Sequence, residues 1–198
     1  MRVLAGTARS VPLKTVPDMN TRPILDRVKK SLFSILESST LILDARVADL
    51  YAGPGTQGIE ALSRGAESCL FVEKRADAVK LIEENLAKTR LKEKATVRCG
   101  FVTPILQTLL RQATPPLFDL ILYDPPFINV RDENLKSATD AEMSLAGQLL
   151  YPGHARLVLR CEKKATPPQP NGLKLERHWV DGPHAFYFFS SDKSRQLT

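Results

Sequence analysis

The 198-residue chain has few of the residues that staple small proteins or hold metals: three cysteines, three histidines and one tryptophan. Cys69, Cys99 and Cys161 are odd in number, dispersed and set in apolar segments. That pattern argues against a disulfide frame and for reduced core thiols. His154, His178 and His184 stand at no ligand spacing with cysteine or carboxylate, so no metal site is expected. No window nears the roughly 20 apolar residues of a membrane span. The opening MRVLAGTARS lacks the apolar stretch of a secretory signal. A cytoplasmic monomer without membrane association is the expectation. Internal repeats and low-complexity tracts are also missing.

What is there reads as one globular domain with a small appendage, at 43% hydrophobic and 25% charged residues. The net charge of +6 is unevenly spread. Residues 1–30 hold seven cations (Arg2, Arg9, Lys14, Arg22, Arg27, Lys29, Lys30) against two acids, leaving the remainder at +1. A basic arm on a near-neutral body suits a polyanionic partner such as RNA, and equally a plain solvated N-terminus.

Two strand-like pieces, RVLAG and VPLKT, flank TARS and predict a small N-terminal β-hairpin within residues 1–20. The segment ILDRVKKSLFSILESS then carries Ile24, Val28, Leu32, Ile35 and Leu36 on one helical face, with Lys29 and Lys30 off it. Beyond it strands and helices alternate. RVADLY, SCLFVE, ATVRC, LFDLILY and ARLVLRC read as strands, and the stretches between them include four helices. Such alternation means βαβ units and a doubly wound, mostly parallel α/β sheet. LKLERHWVD and HAFYFFSS, joined at Gly182-Pro183, predict a C-terminal antiparallel hairpin with Trp179 in its core.

VADLYAGPGTQGIEAL places Gly53-x-Gly55-x-x-Gly58 between a strand and a helix. Glycines there let a ligand approach the backbone, and the helix start offers free N–H groups. Glu73, at the end of the next strand, can hold the two hydroxyls of a ribose. Both NAD and S-adenosylmethionine carry one. Asp49 and Pro54 favour the methyl donor: Asp49 is placed to orient the loop or to meet a cationic amino group, and Pro54 is foreign to a dinucleotide turn.

YDPPF ends the fourth strand of the series, which in such a sheet lies beside the first. Asp124 therefore faces the glycine loop's crevice. The amine of a nucleobase is a poor nucleophile because its lone pair is delocalised into the ring. Two acceptors on its hydrogens, the Asp124 carboxylate and the Pro125 carbonyl, would turn that lone pair outward. Pro125 and Pro126 stiffen the turn, and Phe127 can stack on a flipped base at about 1–3 kcal/mol. Catalysis of this kind is mostly positioning.

DLYAGPGTQGIEALSRGA, FVEK and DPPF resemble the class I S-adenosylmethionine-dependent methyltransferases that act on exocyclic amines. With RVLAGTARSVPLKT, TRPILDRVKKSLFSIL and LKLERHWVDGPHAFYFF added, the sequence resembles the bacterial RsmD family of 16S rRNA guanine-N2 methyltransferases from Arg2 to about Phe189. The resemblance implies a seven-stranded, Rossmann-like methyltransferase sheet over residues 21–198. It implies cofactor contacts from Thr21, Arg22 and Pro23, from Ala52, Gly53 and Gly55, and from Glu73 and Lys74. Catalysis would fall to Asp124, Pro125, Pro126 and Phe127. The RNA, a 16S rRNA loop within a 30S subunit or assembly intermediate, would meet Arg2, Arg9, Lys14, Arg22, Phe127 and Arg131. Gly100-Phe101 stands where many members carry an acid that contacts the adenine amine, so these two positions enter the expected cofactor set as a departure.

Other readings stay open on the residues alone: an N6-adenine or glutamine-directed methyltransferase, or an RNA-binding assembly factor on the same fold. An oxidoreductase would want a Tyr-x-x-x-Lys pair, which does not accompany the glycine loop. INVRDENLKSA after Phe127 reads as a loop able to close over a base, and Tyr51 as core or loop support.

Overall fold

The structure is a computed structural model that describes residues 1–15, 24–115 and 117–191, with the side chain of Glu133 also outside the description. Five strands are parallel: β1 (Arg46–Leu50), β2 (Ser68–Glu73), β3 (Ala95–Cys99), β4 (Leu120–Tyr123) and β5 (Arg156–Glu162). The hairpin of β6 (Leu173–Asp181) and β7 (His184–Ser191) adds to β5 in the antiparallel sense, giving the order β3-β2-β1-β4-β5-β7-β6. The helices are α1 (Asp26–Ser38), α2 (Thr56–Ser63), α3 (Ala76–Thr89), α4 (Val102–Leu110), α5 (Phe127–Arg131) and α6 (Glu133–Gly147).

Central strands buried on both faces must be apolar throughout, and β4, LILY, is buried at every position. Its side chains alternate between two cores. Leu120 and Leu122 join a cluster with α1, α2 and α3, while Ile121 and Tyr123 join one containing residues of α4 and α6. The chain reverses its winding between β1 and β4, which opens a crevice at their carboxyl ends.

Four expectations need amendment. The N-terminal hairpin is short: Arg2 and Pro12 form its antiparallel bridge, Val3 N and Leu13 N bond the Val11 and Met1 carbonyls at 3.0 and 2.9 Å, and the backbone of its tip bonds to α2. Leu4 and Ala5 donate to the Glu60 carboxylate at 2.8 and 3.1 Å, and Thr7 donates to the Ser63 carbonyl at 2.8 Å. Gly6 makes this possible: a Cβ there would fall 1.7 Å from the Ser63 oxygen. Lys29 is fully buried rather than facing water; its Nζ lies 3.2 Å from Glu60 and donates to the Arg2 carbonyl at 3.0 Å. The segment read as a loop after Phe127 is helical, forming α5 and most of the first half of α6. It contains neither proline nor glycine from 127 to 146, and Asp132 caps α6 by accepting from Asn134 N at 2.8 Å. Cys99, unlike Cys69 and Cys161, is exposed.

No helix among the described residues is long and apolar enough to cross a membrane, and none of their His, Cys, Asp and Glu form a metal-holding group.

Candidate active site

The loop between β1 and α2 is built on left-handed turns at Tyr51, Gly53 and Gly55, with φ of 63°, 54° and 77°. Its three glycines do different work. A Cβ on Gly53 would meet nothing within 4 Å, so this backbone is open to a ligand. Gly55 is the N-cap of α2. Gly58 faces inward, where a Cβ would come within 2.4 Å of Phe71 and 2.7 Å of the Cys69 sulfur. Helix and strand approach here too closely for any side chain.

Two carboxylates hold this loop. Buried Asp49 accepts from Gly58 N at 2.8 Å, which makes it a loop-orienting residue; burial pushes its carboxyl well above the usual range. Glu73 accepts from Gly53 N and Arg75 N, both at 2.9 Å, and lines the space above. That space is a cavity of about 500 Å³, of the size that holds small cofactors. Ala52, Gly53, Glu73 and Lys74 form one wall, and the turn Asp124–Phe127 another.

The residues expected for catalysis thus meet Ala52, Gly53, Glu73 and Lys74 of those expected for a cofactor, whereas Asp49, Gly55 and Gly58 stand outside the cavity's lining. Gly100 and Phe101 do not line the cavity. Gly100 N bonds the Glu73 carbonyl at 2.9 Å, and exposed Phe101 reaches it only through Lys74, whose Nζ is 5.5 Å from the ring centroid. Thr21, Arg22 and Pro23 lie outside the described residues. Of the cations expected at RNA, Lys14 is paired with Glu84 at 2.6 Å and Arg131 lies 3.8 Å from Glu162. Arg9 follows Ala8, whose N–H is bound to Ser63 at the far end of α2, whereas Met1 and Thr15 border the cavity.

Three site residues escaped the reading of the sequence. Gln57 Nε2 donates to Asp124 Oδ2 at 2.8 Å. Arg160 Nε donates to Asp124 Oδ1 at 2.7 Å. Glu142, buried on α6, accepts from the hydroxyls of Tyr51 at 2.5 Å and Tyr123 at 2.8 Å, and from Thr103. Burial raises both tyrosine hydroxyls, so they remain protonated donors. Tyr51 opens the glycine loop and Tyr123 directly precedes the Asp124–Phe127 turn, and Tyr51 is loop support as expected. Arg160 did have a signal, a charge inside the apolar strand ARLVLRC.

A sheet of this order, with a glycine loop after β1, a carboxylate ending β2 and Asp-Pro-Pro-Phe ending β4, defines an α/β methyltransferase. Within that class the chain belongs to the RsmD family of rRNA methyltransferases, because the family model described as Conserved hypothetical protein 95 matches residues 1–190. It is 33% identical over 153 residues to Ribosomal RNA small subunit methyltransferase D of Haemophilus influenzae, covering 76% of this chain and 77% of that one. The protein of the same name in Escherichia coli K12 is 24% identical over 204 residues, with 97% and 90% covered. The solved structure of a hypothetical protein from Thermus thermophilus superposes with a TM-score of 0.79 at 30% identity, covering 96% of this chain and 99% of that one.

Proposed function

We propose that the chain transfers a methyl group from S-adenosylmethionine to the exocyclic N2 amine of a guanine in 16S rRNA, within a 30S subunit or an assembly intermediate. The observation that carries this reading is the meeting of the Gly53–Glu73 wall and the Asp124 carboxylate across one cavity. The methyl donor fits: Gly53 offers bare backbone, and Glu73 presents a carboxylate to ribose hydroxyls. Bound there, it supplies an electrophilic methyl group.

The chain's own part is to aim the amine. Asp124 accepts one amine hydrogen and the Pro125 carbonyl the other, which turns the lone pair toward the methyl carbon. Phe127 stacks on the flipped base. In this reading Arg2, Arg22 and Arg131 are the phosphate contacts, and Thr21, Arg22 and Pro23 take the part toward the cofactor that the family resemblance implies. The names of the relatives support an rRNA substrate.

Asp124→Ala is expected to lower turnover at least about 10²-fold, while calorimetry still shows cofactor binding. Full activity in that variant would sink the mechanism. Offering labelled cofactor with naked rRNA or 30S particles, then analysing the nucleosides by mass spectrometry, tests the substrate. N2-methylguanosine is the expected product; N6-methyladenosine would replace this reading with the adenine one.

A further inference from the structure

Arg160 carries a charge into a strand whose neighbouring residues, Leu159 and Cys161, are fully buried. A guanidinium so placed needs defined partners. It has Asp124 Oδ1 at 2.7 Å, and its central carbon stands 5.3 Å from the centroid of the Phe127 ring. The other carboxylate oxygen takes Gln57. An ionised carboxylate offers about four lone-pair positions, so neither contact prevents Asp124 from accepting from a substrate as well. Asp124, Phe127 and Arg160 all line the same cavity.

We propose that Arg160 is the residue that selects guanine, by forming with Asp124 a composite edge that reads acceptor, acceptor, donor. The inference rests on the functional reading above and deepens it. The Watson–Crick edge of guanine runs donor, donor, acceptor, from N2 through N1 to O6. Oδ2 faces the N2 hydrogen, Oδ1 the N1 hydrogen, and the guanidinium fork donates to O6, a favoured arginine target. Cytosine presents the same pattern to guanine in a base pair. Adenine is refused, because its N1 lone pair would meet a carboxylate and its edge offers the arginine no oxygen. Asp124 meets the N1 and N2 hydrogens, and the arginine beside it adds the reading of O6. Packing against Phe127 sets the guanidinium beside the ring on which the base stacks.

The test uses the full chain and small-subunit RNA assembled by ligation, with guanine or 2,6-diaminopurine at the methylated position. Diaminopurine keeps the 2-amino group but reverses the roles of N1 and C6. The wild type is expected to favour guanine in kcat/KM on the order of tenfold to a hundredfold. Arg160→Gln, whose amide can turn its oxygen toward a 6-amino group, should narrow the guanine preference at least about threefold, the N1 lone pair against Oδ1 keeping the remainder. Arg160→Lys, still a donor, should keep the guanine preference at a lower rate. If Arg160→Gln slows both substrates equally and leaves the ratio unchanged, Arg160 is structural only and the inference fails. No preference in the wild type overturns it without any variant, whatever the variants' folding. A wild type that binds cofactor yet methylates no guanine in any RNA would bring down the functional reading instead, and the inference with it.

Discussion

Asp49 shows how one residue can serve a site it never touches. Its carboxyl is sealed beneath the glycine loop and bound to Gly58 N. Burial favours the neutral acid, so the folded state retains a proton that the unfolded chain releases from about pH 4 upward. Stability from this residue is therefore complete at low pH and is lost as pH climbs toward the raised value. Asp49→Asn keeps an acceptor for Gly58 and cannot ionise. Melting temperatures measured from pH 4 to 8 should fall less steeply in that variant than in the wild type; identical slopes would show that Asp49 ionises freely in the fold. The position of Asp49 at a strand end was visible in the sequence, and so was its possible work for the loop. Glu142 was not. Its three hydroxyl partners come from residues 51, 103 and 123, which only the finished fold assembles, and nothing in the helix sequence DAEMSLAG marks it.

At the scale of elements, β2, β3, β6 and β7 have the bounds that their residue patterns predict, since short β-branched and aromatic runs ended by polar turns leave little choice. The stretch after Phe127 misled because its polar run, RDENLKS, resembles a loop, although Asp132 ahead of Glu133 was a cap signal. The glycine loop gives a paired prediction. Gly58→Ala drives a methyl into Phe71 and Cys69 and should cost about 1–3 kcal/mol of stability, read as a lower melting temperature. Gly53→Ala meets no atom and pays only for its left-handed backbone, about 1–2 kcal/mol. Its larger effect should be on cofactor affinity, measured by calorimetry. Comparable losses of affinity in both variants would contradict the division of labour.

For the molecule as a whole, the count of seven cations in residues 1–30 overstates what faces a polyanion. Lys29 is interred with Glu60, Lys14 is paired with Glu84, and Arg27 is paired with Asp181 at 2.5 Å. The sequence showed the cluster but not its partners, which lie 31 to 154 residues away. RNA affinity measured against salt should separate the two kinds of cation. Replacing Arg2, a phosphate contact in the proposed function, by Gln should flatten the log–log slope by about 0.7, whereas Lys29→Met should leave the slope unchanged. An equal flattening by both would mean that Lys29 leaves its burial to bind RNA. The same network explains why residues 1–15 behave as part of the body: Val3, Ala8 and Leu13 enter the core beside α1 and α2.

Glu142 has a further consequence. The turn that holds the methyl acceptor in the proposed function, and the loop that holds the donor there, are both hung, through one tyrosine each, on a single carboxylate of α6. They share a datum instead of resting on separate supports. A displacement of α6 would carry both surfaces with it through Glu142, which favours keeping the gap between them. For a reaction that asks mainly for alignment, the quantity kept constant is the one that sets the rate.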